Sequence, residues 1–156
     1  MNHWAKRLLL LFTIGGGFTG IVFILQAATQ AVMTPANFLL IIAFFSFFSF
    51  GIWAGWRLVE DEPSGIVLVK WYAALQMPYL SSPLLGFGLL SALGLRLGIG
   101  SGGFTFTYRL GSEAWLSLGQ GAPWGISINV VAVALFILCS RSIPSTTQAH
   151  SFPTDA

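Results

Sequence analysis

The chain predicts an all-α integral membrane protein: four transmembrane helices, the third kinked, with a short extracytoplasmic β-hairpin before the fourth. Three observations carry that expectation. Of 156 residues, 55% are hydrophobic and only 8% are charged, whereas soluble domains carry about 25% charge. The mean hydropathy is +0.79. Uncharged apolar runs recur at lengths near the ~20 residues that a helix needs to cross a hydrocarbon core. A soluble enzyme would lack the charge to clothe its surface, and a disordered chain would not hold so much apolar side chain. The net charge is only +2, with no dense basic face, so no nucleic-acid partner is expected.

The first span is expected over residues 8–27. Lys6 and Arg7 precede it, as they would precede a secretory signal peptide. Its apolar stretch exceeds the ~7–15 residues of a signal core, and Ala27-Ala28-Thr29-Gln30-Ala31 is a poor cleavage site, so a retained span is favoured. The second span is expected over residues 38–56. It holds Phe44, Phe45, Phe47, Phe48 and Phe50, then Trp53 and Trp56 at an interface, and Arg57 ends it.

The third apolar run covers residues 66–95, roughly 45 Å as a straight helix. Pro78 and Pro83 interrupt it. Two solutions fit: one long helix kinked at residues 78–83, or an interfacial helix over 64–76 followed by a separate span. The kinked helix is the expectation, with Lys70, Trp71 and Tyr72 at the interface. The fourth span is expected over residues 124–140, ended by Arg141, and residues 142–156 read as a flexible cytoplasmic tail. Alternating spans put Lys6, Arg7, Arg57, Lys70 and Arg141 on one side and Arg96 and Arg109 on the other. The positive-inside rule then places both termini in the cytoplasm, with a bacterial inner membrane as the expected host.

The connecting segment 96–123 is the least membrane-like. Phe104, Phe106 and Tyr108 alternate with Thr105, Thr107 and Arg109, which is a strand pattern. Gly111-Ser112 supplies a turn, and residues 114–118 a return strand. Such a hairpin would carry an aromatic face from Phe104, Phe106, Tyr108 and Trp115, and would need support from the membrane, the helices or a partner. The glycines at 98, 100, 102 and 103 lack the Lys-Ser or Lys-Thr of a phosphate loop. They read as a flexible turn rather than as a carbonyl-lined ion filter.

Two residue sets stand out as candidate sites. Gly16 with Gly20, and Gly51 with Gly55, form small-residue faces that pack helices of this chain or seat another subunit; Gly94 and Gly98 repeat the spacing. Gln76, Tyr79, Ser81 and Ser82 cluster at the expected helix break, where a freed backbone carbonyl can serve a binding site. Spans one, two and four carry no charge, which argues against ion-coupled pumping. His3 and His150 lie in opposite tails and Cys139 stands alone, so no metal site, haem site or catalytic triad assembles. These features point to a small non-catalytic subunit or assembly factor of a larger membrane complex. An oligomeric transporter with a path near Pro78–Pro83 is the alternative, followed by a lipid, quinone or pigment binder that uses the Phe-rich second span. Expected partners are the bilayer and other membrane subunits or further copies. No cofactor beyond a bound lipid or quinone is expected.

Overall fold

The computed structural model describes residues 2–119 and 122–142. The chain opens with one 28-residue helix, His3–Gln30. Its first part, α1 (His3–Leu10), passes through a π-helical turn (Leu11–Gly15) into α2 (Gly16–Gln30). The next helix, α3 (Pro35–Val59), starts where the Thr34 side chain accepts a hydrogen bond from the Asn37 amide and proline takes the first position. These two helices are long and apolar enough to cross a membrane. Asp61, with φ of 56°, turns the chain back, and α4 (Pro63–Leu75) follows.

From here the structure overturns the all-α expectation. No kinked third span forms over residues 66–95: α4 stops at Leu75, and the chain enters a six-stranded antiparallel sheet. The strands are β1 (Pro78–Ser81), β2 (Leu85–Leu90), β3 (Leu93–Gly100), β4 (Gly103–Leu110), β5 (Glu113–Leu118) and β6 (Gly125–Asn129), in the order β4-β3-β6-β1-β2-β5. The expected fourth span over 124–140 divides into β6 and a 13-residue helix, α5 (Val130–Ser142). Among the described residues the fold therefore has four helices and a sheet, and two of those helices have the length of a span.

The physical reason lies in the side-chain period. Pro78 has no amide to continue a helix, and beyond it the sequence alternates. Leu-Gly-Phe-Gly-Leu-Leu forms β2 and Leu-Gly-Leu-Arg-Leu-Gly-Ile-Gly forms β3. Glycine passes a hydropathy test for a span, but a period of two buries one face of a strand, not one stripe of a helix. The expected hairpin over 104–118 is also corrected. Both strands exist, but β4 pairs with β3 and β5 pairs with β2. They are the two edges of the sheet, joined through Gly111 and Ser112.

The registers separate the sheet into two faces. Leu95↔Tyr108, Leu97↔Phe106, Leu97↔Ile128 and Leu80↔Ile126 belong to an apolar face. Arg96↔Thr107, Arg96↔Asn129, Tyr79↔Ser127 and Gly88↔Trp115 belong to a polar, glycine-rich face. The sheet rolls around the polar face until Arg109 on one edge strand reaches Glu113 on the other. Small inner residues permit this curl: a Cβ at Gly98 would run into Ser127, and one at Gly86 into the Trp115 ring.

Two cores fix the sheet to the helices. Leu9, Ala54, Leu58, Val69, Ala73, Leu135 and Cys139 join the first half of the N-terminal helix, the end of α3, α4 and α5. Ile24, Phe48, Leu89 and Ala114 join the other half of the helix pair to β2 and β5. The helix pair thus runs the full height of the molecule, with α4 and α5 beside one half and the sheet beside the other.

Candidate functional site

The rolled sheet cups a solvent-open pocket of about 360 Å³ on its polar face. Its walls come from Tyr79 and Ser81 on β1, Arg96 on β3, Thr105, Thr107 and Arg109 on β4, Glu113 on β5 and Ser127 on β6. Strand alternation places these side chains on one face, and Ile99, Trp124 and Ile126 complete the lining at the β3–β6 end.

One carboxylate organises the charged end. Glu113 Oε2 accepts a hydrogen bond from Arg96 Nη2 at 3.2 Å, and Arg109 Nε lies 3.4 Å from the same oxygen as an ion pair. Arg96 is 9% exposed at its side chain and Glu113 17%, whereas Arg109 is 63% exposed. The Arg96 guanidinium lies 4.1 Å from the centre of the Tyr79 ring, and that ring leans on Trp115 with centroids 5.5 Å apart. Cation–π stacking of this kind holds the guanidinium plane in place. Trp115 Nε1 is buried without a hydrogen-bond partner. The cluster therefore carries two permanent cations against one carboxylate inside a wall whose outer face is apolar.

Only part of the expected polar cluster meets here. Tyr79 and Ser81 line the pocket. Gln76 is buried elsewhere: its Nε2 donates to Tyr72 O at 3.1 Å, and its Oε1 accepts from the Ser91 amide at 2.9 Å. Ser82 closes the β1–β2 loop, donating to Leu85 O and accepting from its amide. Ser91 Oγ in turn donates to Phe12 O in the π-helical turn, 3.0 Å away. On the other side of that turn Ser112 Oγ donates to Gly16 O at 2.9 Å. The two sheet loops at Ser91 and Ser112 thus dock on the segment where the N-terminal helix is locally unwound.

The small-residue faces are filled by this chain. Gly16 faces Ser91, Gly20 the Phe48 ring, Gly51 the Tyr72 ring, and Gly55 Thr13 and Ile14. The Phe-rich span contributes likewise: Phe47 stacks on Tyr72 with centroids 4.9 Å apart, and Phe48 is fully buried. The anticipated aromatic surface splits in two. Phe104, Phe106 and Tyr108 point outward from β4, and Trp115 sits on the opposite, inner face of β5.

The Arg109–Glu113 pair across the Gly111-Ser112 turn is legible in the sequence and is found here; that Arg96 joins it is not legible. The strand parity of 105-107-109 and the lone arginine of Leu-Gly-Leu-Arg-Leu-Gly are a partial signal. What it lacked was the pairing that brings β3, β4 and β5 around one space. Among the described residues, no group of three or more His, Cys, Asp or Glu side chains is placed to hold a metal ion. Comparison of the chain with protein-family models, curated proteins and solved structures finds no match to any of them.

Proposed function

We propose that this chain is a membrane-embedded, non-catalytic subunit that joins a larger assembly through the free edge of β4. The observation that carries the reading is the exposure of β4: all eight of its residues are exposed, with Phe104 at 72%, Tyr108 at 71% and Leu110 at 78%. The opposite edge is different. Ala114 on β5 is buried in the core with Ile24 and Phe48, and the preceding Ser112 is bonded to Gly16.

An apolar strand with an open backbone edge is an aggregation hazard in water. In lipid it leaves amide and carbonyl groups with no partner. A strand supplied by a neighbour satisfies that edge and covers the aromatic face in one step. The outward residues Leu97, Ile99, Ile126 and Ile128 extend the same apolar band beyond β4, as expected for a sheet lying beside two spans at bilayer depth. Lys6 pairs with Asp61 at 2.6 Å, so the N-terminus and the α3–α4 turn share one end of the molecule. That end also holds Arg7 and Arg57, which supports a cytoplasmic placement in a bacterial inner membrane. Gln76 and Ser82, the residues anticipated along a transport path, are committed to backbone bonds.

The test is to extract membranes in a mild detergent, capture a C-terminally tagged chain, and measure the mass of the particle and its components. A particle with a stoichiometric neighbour supports the reading, and Phe106→Lys then releases that neighbour while the chain stays folded, because Phe106 has no role in either core. A wild-type chain that purifies as a folded monomer sinks it.

A further inference from the structure

The strongest unassigned feature is the pocket on the polar face of the sheet. Three observations converge there. First, the charge does not balance: Arg96 and Arg109 share one carboxylate, and both approach the same oxygen, Glu113 Oε2. Second, the guanidinium groups retain donors. Among the described residues, Arg96 donates to protein only from Nη2 and Arg109 approaches protein only through Nε, so the remaining N–H groups of both forks have no protein acceptor. Third, an open pocket of about 360 Å³ lies beside them, and Thr105, Thr107 and Ser127 line it.

The buried Arg96 is already balanced by Glu113, so the second cation, the largely exposed Arg109, is left to attract an anion that enters the pocket from solvent. Guanidinium forks bind planar or tetrahedral oxyanions through paired N–H donors. Hydroxyls beside them complete the coordination of further oxygens, as donors that need no charge. The Tyr79 ring under Arg96 fixes one fork before any ligand arrives, which reduces the ordering required on binding. A cation as ligand would meet two arginines, and a neutral apolar molecule would leave their donors unpaired.

We propose that the pocket is a binding site for a single phosphate-type oxyanion, held between the free N–H groups of Arg96 and Arg109 and the hydroxyls of Thr105 and Thr107. The same chemistry is offered by the head group of an anionic phospholipid and by a soluble phosphate ester. The proposal stands apart from the β4 assembly reading, since it uses the inner face of the sheet and not its edge or outer face.

The experiment is titration calorimetry on the intact, detergent-solubilised chain with three probes: inorganic phosphate, glycerol 3-phosphate and a short-chain phosphatidylglycerol below its micellar concentration. Saturable one-to-one binding of at least one probe is expected, weakening as salt rises. Arg109→Gln is expected to reduce that affinity tenfold or more. Its side chain is largely exposed, so the variant keeps its fold, and circular dichroism verifies this. Thr107→Val, a substitution on the exposed edge strand, is expected to weaken binding severalfold. Binding of the lipid probe alone identifies a head-group site, and binding of the two soluble probes identifies a free-phosphate site. No saturable binding by any probe overturns the proposal, as does an Arg109→Gln chain that binds as tightly as wild type.

Discussion

Gln76→Met separates a structural role for this residue from a role in a polar path. Gln76 is 6% exposed and makes two hydrogen bonds that nothing nearby can replace. Its Oε1 is the acceptor for the Ser91 amide. Its Nε2 donates to Tyr72 O, a carbonyl that the Gln76 main chain leaves free because its own amide goes to Ala73 O. Methionine matches the length of glutamine, so no large cavity opens and the change isolates the polar loss. Each orphaned buried group costs about 1–3 kcal/mol, and recovered apolar burial by the thioether offsets a fraction of the pair. A net loss of about 3 kcal/mol follows. For a chain of this size, at ~2–4 °C per kcal/mol, the midpoint should fall by about 6–12 °C. The assay is thermal unfolding of the detergent-solubilised protein followed by intrinsic tryptophan emission, with particle size checked before heating. A Gln76→Met chain whose midpoint lies within about 2 °C of wild type would refute the claim that these two bonds fasten the end of α4 to the β2–β3 turn.

Further expectations follow from the same geometry. Gly20→Ala drives a methyl group into the buried Phe48 ring and should destabilise by about 1–3 kcal/mol through overpacking, whereas Gly102→Ala, with nothing within 4 Å of the added carbon, should leave the same melting curve unchanged. Ala92 sits at φ of 66°, a left-handed conformation that strains a residue with a Cβ, so Ala92→Gly should raise stability by roughly 0.5–1 kcal/mol in a denaturation series. Glu113→Gln removes the carboxylate between Arg96 and Arg109 and should cost about 3 kcal/mol, because the buried Arg96 is left beside another cation. Added phosphate should restore more of the melting temperature in that variant than it adds to wild type.

The two long apolar helices were legible because each contains a continuous uncharged run with its own punctuation. Thr34-Pro35 starts α3 and Arg57 stands in its last turn. Strand β4 was legible from Phe104 to Arg109 because its aromatic and threonine positions strictly alternate. The rest of the sheet was not read, although Leu85–Leu90 and Leu93–Gly100 alternate as strictly. Leucine and glycine are both ordinary in a membrane helix, so the run passed a hydropathy criterion while its period of two went unweighed. Gly125-Ile-Ser-Ile-Asn129 carries the same ambiguity: it is apolar enough to begin a span, yet its period of two makes it β6.

Amphipathic period, helix punctuation and composition are local properties, and they reach the reader through the sequence: two long apolar helices, one alternating strand and an apolar chain with almost no charge. Partner choice is not local. β6 enters the sheet between β1 and β3, far from either in the chain, because its Ile126 and Ile128 match Leu80, Ile99 and Leu97 on one face while Ser127 matches Tyr79 on the other. Many strands of this chain would satisfy that rule pairwise, and only the closed set of pairings satisfies it for all six. The curl of that set brings Arg96, Arg109 and Glu113 to one point from three strands. Arg109 and Glu113 stand four apart across the Gly111-Ser112 turn, a spacing the sequence shows; the approach of Arg96 runs across the strands, β3 beside β4, and leaves no spacing to read.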